Sequence, residues 1–257
     1  MGLLVGDPAG PRPAVGPVHH GSGGNGRALS PLARRATAEF AGTGLLVTVV
    51  VGSGIAAARL SPGDVGLQLA ENAAATAAGL AVIILMVGPV SGAHLNPVVS
   101  LVDWALGRRD GTGLSSVTLG VYALAQTTGA VGGAVLANLM FDLPAVTVST
   151  TVRSGPSLWL AEAVATAGLI ALILSLVRTG RAHLAAPAVG AYIGSAYWFT
   201  SSTSFANPAV TVGRVFSDTF AGIAPGSVAP FVAAQFAGAV AGAGLALVLH
   251  PASKESV

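Results

Sequence analysis

The chain has 257 residues, of which 53% are hydrophobic and only 9% charged, with a mean hydropathy of +0.74 and a formal net charge of +2. Soluble domains carry about 25% charged residues, so this composition excludes an ordinary soluble protein and indicates an integral membrane protein. The absence of cysteine excludes disulfide frameworks and thiolate metal sites.

Residues 1–32 are rich in Gly and Pro, show no apolar periodicity and lack the apolar stretch of a signal peptide, so a disordered cytoplasmic tail is expected. The pair His19-His20 inside it is read as incidental, because two adjacent His fall short of the ligand set of a real site; no metal is expected. Arg34-Arg35 marks an inner membrane boundary, and residues 36–58 form the first span, interrupted by a single acid, Glu39. A short loop with Arg59, Pro62 and Asp64 leads to a second span over 72–90. A half-length apolar run then starts at Asn96-Pro97-Val98 and continues to about residue 106. Arg108-Arg109-Asp110 returns the chain inside, a third span covers 114–140, and an outer loop covers 141–156. The fourth span, 158–177, again holds one acid, Glu162. The fifth covers 184–199, a second half-length run starts at Asn207-Pro208-Ala209, and the sixth covers 228–249 before a cytoplasmic tail at 251–257.

Asn is a strong helix N-cap and Pro suits the first helical position, so each Asn-Pro pair should start a helix. A run of about 10 residues rises roughly 16 Å, half a bilayer. Six spans with both termini inside place Arg12, Arg27, Arg34, Arg35, Arg108, Arg109, Arg178, Arg181 and Lys254 on the cytoplasmic side, against Arg59, Arg153 and Arg214 outside. That asymmetry follows the positive-inside rule.

The chain also repeats itself. Residues 38–47 (AEFAGTGLLV) pair with 161–170 (AEAVATAGLI), 94–99 (HLNPVV) with 205–210 (FANPAV), and 122–137 with 231–246. Acid, Asn-Pro and Gln recur in order, from Glu39 through Asn96 to Gln126 and from Glu162 through Asn207 to Gln235. Three spans per half is an odd number, so repeat one (about 36–140) and repeat two (about 157–250) must lie inverted in the membrane. Gly129-x-x-x-Gly133 and Gly238-x-x-x-Gly242 occupy matching places, where small residues let helix backbones approach closely.

These residues resemble the aquaporin and aquaglyceroporin (major intrinsic protein) family over roughly 36–250. The resemblance rests on the repeat, the paired Asn-Pro half-helices and the Ala-Glu-Phe-x-Gly-Thr opening of the first span. It implies an all-α membrane protein of six spans and two re-entrant half-helices, with a pore in each protomer of a homotetramer. The partners implied are the bilayer, water and small neutral solutes, with no cofactor and no nucleic acid. At the centre, two helix N-termini supply partial positive charge and Asn96 and Asn207 can each offer an amide N–H to the lumen. Such dipole ends exclude cations and protons, as is known for pores of this type. Glu39 and Glu162, read as the only acids inside spans, are expected to accept backbone N–H groups of the re-entrant loops, since unpaired donors at that depth are costly. His94 is expected to brace its loop or line the inner vestibule.

The chain departs from common water channels, which carry Arg after Asn-Pro-Ala; here that position is Val210. Arg214 lies a turn further on and is expected to face elsewhere. Spacing from the two Asn residues gives Thr76, Ser195 and Ser204 as the other filter positions. A filter of Thr76, Ser195, Ser204 and Val210 would be wide and mildly polar, similar to the bacterial branch found with arsenic-resistance genes. Water, glycerol, urea, arsenous acid or methylated arsenicals are then the expected cargo. The first motif has Val98 in place of Ala. The alternatives are a secondary transporter using Glu39 and Glu162, or a closed structural homologue. No nucleophile-base arrangement for an enzyme occurs within the spans.

Overall fold

The computed structural model describes residues 29–251; the tail with Arg12, His19-His20 and Arg27, and Lys254 at the other end, lie outside the described residues. Among the described residues the chain forms eight α-helices, two short 3₁₀ turns and no strand. The helices are α1 (Pro31–Leu60), α2 (Val65–Ser91), α3 (Pro97–Asp110), α4 (Ser116–Met140), α5 (Pro156–Arg178), α6 (Ala185–Phe199), α7 (Pro208–Gly213) and α8 (Pro225–Leu249). Five of them are long and apolar enough to cross a membrane by length and composition. The sixth, α6, has 15 residues after a 3₁₀ turn at Ala182–Leu184. Together they follow the order of six spans and two half-helices expected, with α6 the shortest of the six.

Local chemistry sets the boundaries. Ser30, Asp64 and Ser115 cap their helices with side-chain oxygens, and Pro stands at the start of α1, α3, α5, α7 and α8. Gly92 closes α2 in the left-handed region at φ 89°, a conformation that Gly adopts without penalty. Two expectations need correction. α2 begins seven residues earlier than expected, at Val65, so Glu71 joins Glu39 and Glu162 inside a helix, where it accepts a hydrogen bond from Ser61 Oγ at 2.8 Å. The half-helices are also unequal. α3 runs 14 residues, about 21 Å, whereas α7 stops after six and tightens into a 3₁₀ turn at Arg214–Phe216.

α1 lies parallel to α4, and α5 parallel to α8, through backbone-to-backbone contacts. A Cβ at Gly129 would fall 2.2 Å from Phe40 O, and one at Gly133 2.1 Å from Gly44 O. Gly238 and Gly242 meet Ala163 O and Ala167 O in the same way, each at 2.2 Å. The close approach lets Thr48 Oγ1 donate to Gly133 O on the neighbouring helix at 3.1 Å. Large apolar side chains such as Val82, Leu85, Leu124, Val240 and Val248 are exposed around the circumference, as a bilayer solvent requires. The end of the bundle that holds the start of α1 is called the near face below, and the opposite end the far face. At the far face residues 147–153 form an extended strap along 215–227, with Ser149 N donating to Val215 O (2.8 Å) and Ala224 N to Thr151 O (2.7 Å).

Candidate functional site

Loops 92–96 and 203–207 carry the chain into α3 and α7. Both bend through left-handed, non-glycine residues at matching places, Ala93 and Leu95 in one, Ser204 and Ala206 in the other, with φ between 47° and 52°. Such residues cost of order 1–3 kcal/mol each and persist only where their surroundings over-determine them. Buried carboxylates do so here. Glu39 accepts from His94 N (3.0 Å), Leu95 N (2.7 Å), Ser91 Oγ (2.6 Å) and Gln126 Nε2 (2.7 Å). Glu162 accepts from Phe205 N (2.8 Å), Ala206 N (2.9 Å) and Gln235 Nε2 (2.6 Å). Both glutamates are fully buried.

In a trans peptide the C=O points opposite to the following N–H. With the N–H groups of residues 94, 95, 205 and 206 drawn to the carboxylates, the carbonyls of Ala93, His94, Ser204 and Phe205 point the other way. That side is a cavity of about 290 Å³ running through the bundle, and all four residues line it. The loops thus face their donors inward and their acceptors to the lumen.

The two asparagines close the middle. Asn96 Oδ1 accepts from Val98 N (3.0 Å), and Asn207 Oδ1 from Ala209 N (3.0 Å) and Val210 N (3.3 Å). Each side-chain nitrogen also reaches across, Asn96 Nδ2 to Ala206 O and Asn207 Nδ2 to Leu95 O, both at 2.7 Å. An amide nitrogen carries two hydrogens. One locks the opposite loop, and the second is left for the cavity that both Asn residues line.

The expected site residues divide. Thr76, His94, Asn96, Ser204, Asn207 and Val210 line the cavity. Pro97, Val98, Pro208 and Ala209 do not; Val98 is fully buried against Ile170 and Ala239, so its extra bulk is taken up by helix packing. His94 both braces and lines: its Nδ1 lies 3.1 Å from Ser100 Oγ and its ring stands edge-on to Tyr122. Ser195 is misplaced in the expected filter. It is exposed, its hydroxyl donates to Tyr192 O at 2.8 Å, and the cavity face of α6 is instead Ala185, Val189, Ile193 and Tyr197. Two residues amount to about 200° of helix, which turns Ser195 to the opposite side. Tyr197 brings an aromatic ring to the wall and sets its hydroxyl 3.3 Å from Thr76 Oγ1.

Arg214 is the second correction. It lines the cavity, is 2% exposed, and stacks its guanidinium on Phe205 with Cζ 3.4 Å from the ring centroid. Residues four apart share a helix face, so Arg214 follows Val210 along the same side rather than turning away.

A helical bundle with an apolar circumference, in which two half-helices meet at their capped N-termini beside a continuous lined cavity, defines a membrane channel. The description "Major intrinsic protein" matches residues 28–204, more than half of the 257, and the chain belongs to the major intrinsic protein family. Aquaglyceroporin AqpS of Rhizobium meliloti (strain 1021) is 51% identical over 210 residues, spanning 81% of this chain and 87% of that protein. Aquaporin NIP1-4 of Oryza sativa subsp. japonica is 33% identical over 177 residues, 66% of this chain and 62% of its own length. The solved aquaglyceroporin of Plasmodium falciparum shares the fold, with a TM-score of 0.64 over 86% of this chain and 96% of that one at 20% identity. The chain is a passive channel for water and small uncharged solutes and not an enzyme.

Proposed function

We propose that the channel conducts neutral hydroxylated or amide solutes larger than water, such as glycerol, urea, arsenous acid or methylated arsenicals, along with water. The observation that carries this reading is the two-sided wall of the cavity. One side is a polar line formed by four loop carbonyls and the free amide hydrogens of Asn96 and Asn207; the other is aliphatic, from Leu46, Val50, Leu80, Leu169, Val189 and Ile193. A solute with hydroxyls on one edge and carbon on the other matches both sides, whereas an ion finds too few ligands to replace its hydration. The printed name of the Rhizobium relative, an aquaglyceroporin, supports the same cargo class.

Asn96 and Asn207 orient the passing oxygen at the middle, with Pro97, Val98, Pro208 and Ala209 as the frame that holds them. Thr76, Ser204 and Val210 belong to the filter on the far side, joined by Tyr197, while Glu39, Glu162 and His94 support the loops. Both carboxylates are engaged as acceptors of loop N–H and side-chain donors, which supports a bracing role over proton transfer. The channel domain covers about 33–250 and sits as a homotetramer in the cell membrane, with its near face and both termini cytoplasmic. The excess of Arg at the near face supports that orientation.

Stopped-flow light scattering on proteoliposomes tests the proposal. Native vesicles should take up glycerol, urea and arsenous acid as well as water. Val210→Arg, which adds a second guanidinium to the wall, should lower glycerol uptake about tenfold, the equivalent of roughly 1.4 kcal/mol, while keeping water flux. Native vesicles that pass water alone would overturn the reading.

A further inference from the structure

The two half-helices place charge at corresponding points that the Asn-Pro motifs themselves do not contain. Three residues past each asparagine stands a valine, Val99 and Val210, and seven past each stands a charge, Asp103 and Arg214. All four line the cavity. Asp103 is tied to the connection that follows its helix, accepting from Leu114 N at 2.9 Å. Arg214 is held differently.

Its Nε donates to Ala221 O, and that is the one hydrogen bond its side chain makes among the described residues. A guanidinium has five N–H donors, so four remain without a protein acceptor on a side chain that is 2% exposed. Burying so many unpaired charged donors in an apolar surround is very unfavourable. The arrangement is consistent only if these donors face the lumen and bind the oxygen atoms that pass through it. The planar group is kept from swinging by its stack on Phe205, which Phe231 meets edge-on at 5.3 Å.

A second arginine holds the anchor. Arg153, from the strap, donates Nε to Gly222 O (2.9 Å) and Nη2 to Phe220 O (3.3 Å), and its Cζ lies 5.2 Å from the Phe205 ring. Three consecutive carbonyls, at residues 220, 221 and 222, therefore serve two arginines. The turn that receives Arg214 is pinned on both sides by Arg153.

We propose that Arg214 is the specificity-determining residue of the far-side filter. It receives the oxygen of each passing neutral solute and repels cations, from a position one helical turn beyond the Val210 site; Arg153 is its positioning residue. This rests on the channel reading above. It predicts that solute choice depends on a residue outside the Asn-Pro motif and on a strap that is remote in sequence.

The test uses the full chain in proteoliposomes, with native protein, Arg214→Ala, Arg214→Lys, Arg153→Ala and the double variant Arg214→Ala/Val210→Arg. Uptake of water, glycerol and the larger polyol xylitol is read by light scattering, and K⁺ leak by a potential-sensitive dye. Arg214→Ala should raise the xylitol-to-glycerol ratio about tenfold, equivalent to losing one charge-assisted hydrogen bond, and open a K⁺ leak. Arg214→Lys keeps the charge without the planar fork, so it should stay tight to K⁺ but lose solute discrimination. Arg153→Ala should shift the ratio in the same direction by less. The double variant, with a guanidinium restored one turn earlier, should regain K⁺ exclusion. An unchanged ratio and no leak in Arg214→Ala would overturn the proposal while native glycerol flux still upholds the channel. If Arg214→Ala fails to fold, native-like discrimination in Arg214→Lys overturns it equally. Native vesicles without solute flux would count against the channel reading instead.

Discussion

Glu162→Ala should abolish folded channel. The substitution strips the acceptor from Phe205 N, Ala206 N and Gln235 Nε2 at once. A buried donor left unsatisfied costs about 1–3 kcal/mol, so the three together approach the whole stability of a typical protein, about 5–15 kcal/mol. The same change removes the carboxylate that over-determines the left-handed backbone at Ser204 and Ala206, leaving the Asn96 Nδ2 bond to Ala206 O and the Ser202 Oγ contact with Ser204 N. The expected result is a midpoint of thermal unfolding in detergent lowered by about 10 °C or more, with flux falling in parallel. Glu162→Gln keeps one acceptor oxygen, which can serve Ala206 N and Gln235 Nε2, but turns its own NH₂ toward Phe205 N, and should fall between native and Ala. Glu39→Ala should behave like Glu162→Ala, with four donors stranded instead of three. Protein as stable and as permeable as native after Glu162→Ala would remove the bracing role. A stable Glu162→Gln variant that lost only a pH-driven flux would point to proton coupling.

Gly133→Ala should be nearly as damaging, because the added methyl meets backbone. Its Cβ would sit 2.1 Å from Gly44 O, and a carbonyl in the middle of a packed helix cannot rotate aside. α1 and α4 would have to part by about 1 Å along their contact, which also breaks the Thr48 Oγ1 bond to Gly133 O. Overpacking of this kind costs about 1–3 kcal/mol, and here it is added to the loss of the helix–helix contact. Gly132, one residue away, has nothing within 4 Å of the same added atom. Gly132→Ala should therefore be neutral or stabilising, since Ala favours helix over Gly by about 1 kcal/mol. Thermal unfolding of both variants decides the matter: equal midpoints would mean that the spacing of small residues does not set the α1–α4 contact.

Much of the architecture could be read from local chemistry. Asn favours the N-cap and Pro the first helical position, so ahead of an apolar run Asn96 and Asn207 were legible as caps. The acid in each repeat was legible because a loop inside a bilayer has donors that need an acceptor, and little else in the spans could supply one. The reach of each asparagine amide to the other loop was not legible, because it depends on the two halves meeting. The filter was read less well, and for a rotational reason. Counting back from Asn207 fixes a residue number but not the face of α6, and Ser195 falls on the wrong side. The stripe Ala185, Val189, Ile193 and Tyr197, at intervals of four, was the available signal, and it points to the face that lines the cavity. The same i, i+4 relation ties Arg214 to Val210. The fixing of that side chain by Ala221 O and by Arg153 from the strap pairs residues far apart in sequence, and no local pattern announces it.

The path proposed for the solute runs along the wall formed by α6 and the two loops. A chain without native cysteine allows that wall to be probed one thiol at a time. Ile193→Cys and Ser195→Cys, two residues apart on α6, should each be reconstituted and treated with a small water-soluble methanethiosulfonate reagent before glycerol and water flux are measured. Modified Ile193→Cys should lose both fluxes to the level of empty vesicles, while modified Ser195→Cys should conduct as before. Block at Ser195→Cys with none at Ile193→Cys would place the pore on the other face of α6 and rule out the proposed path.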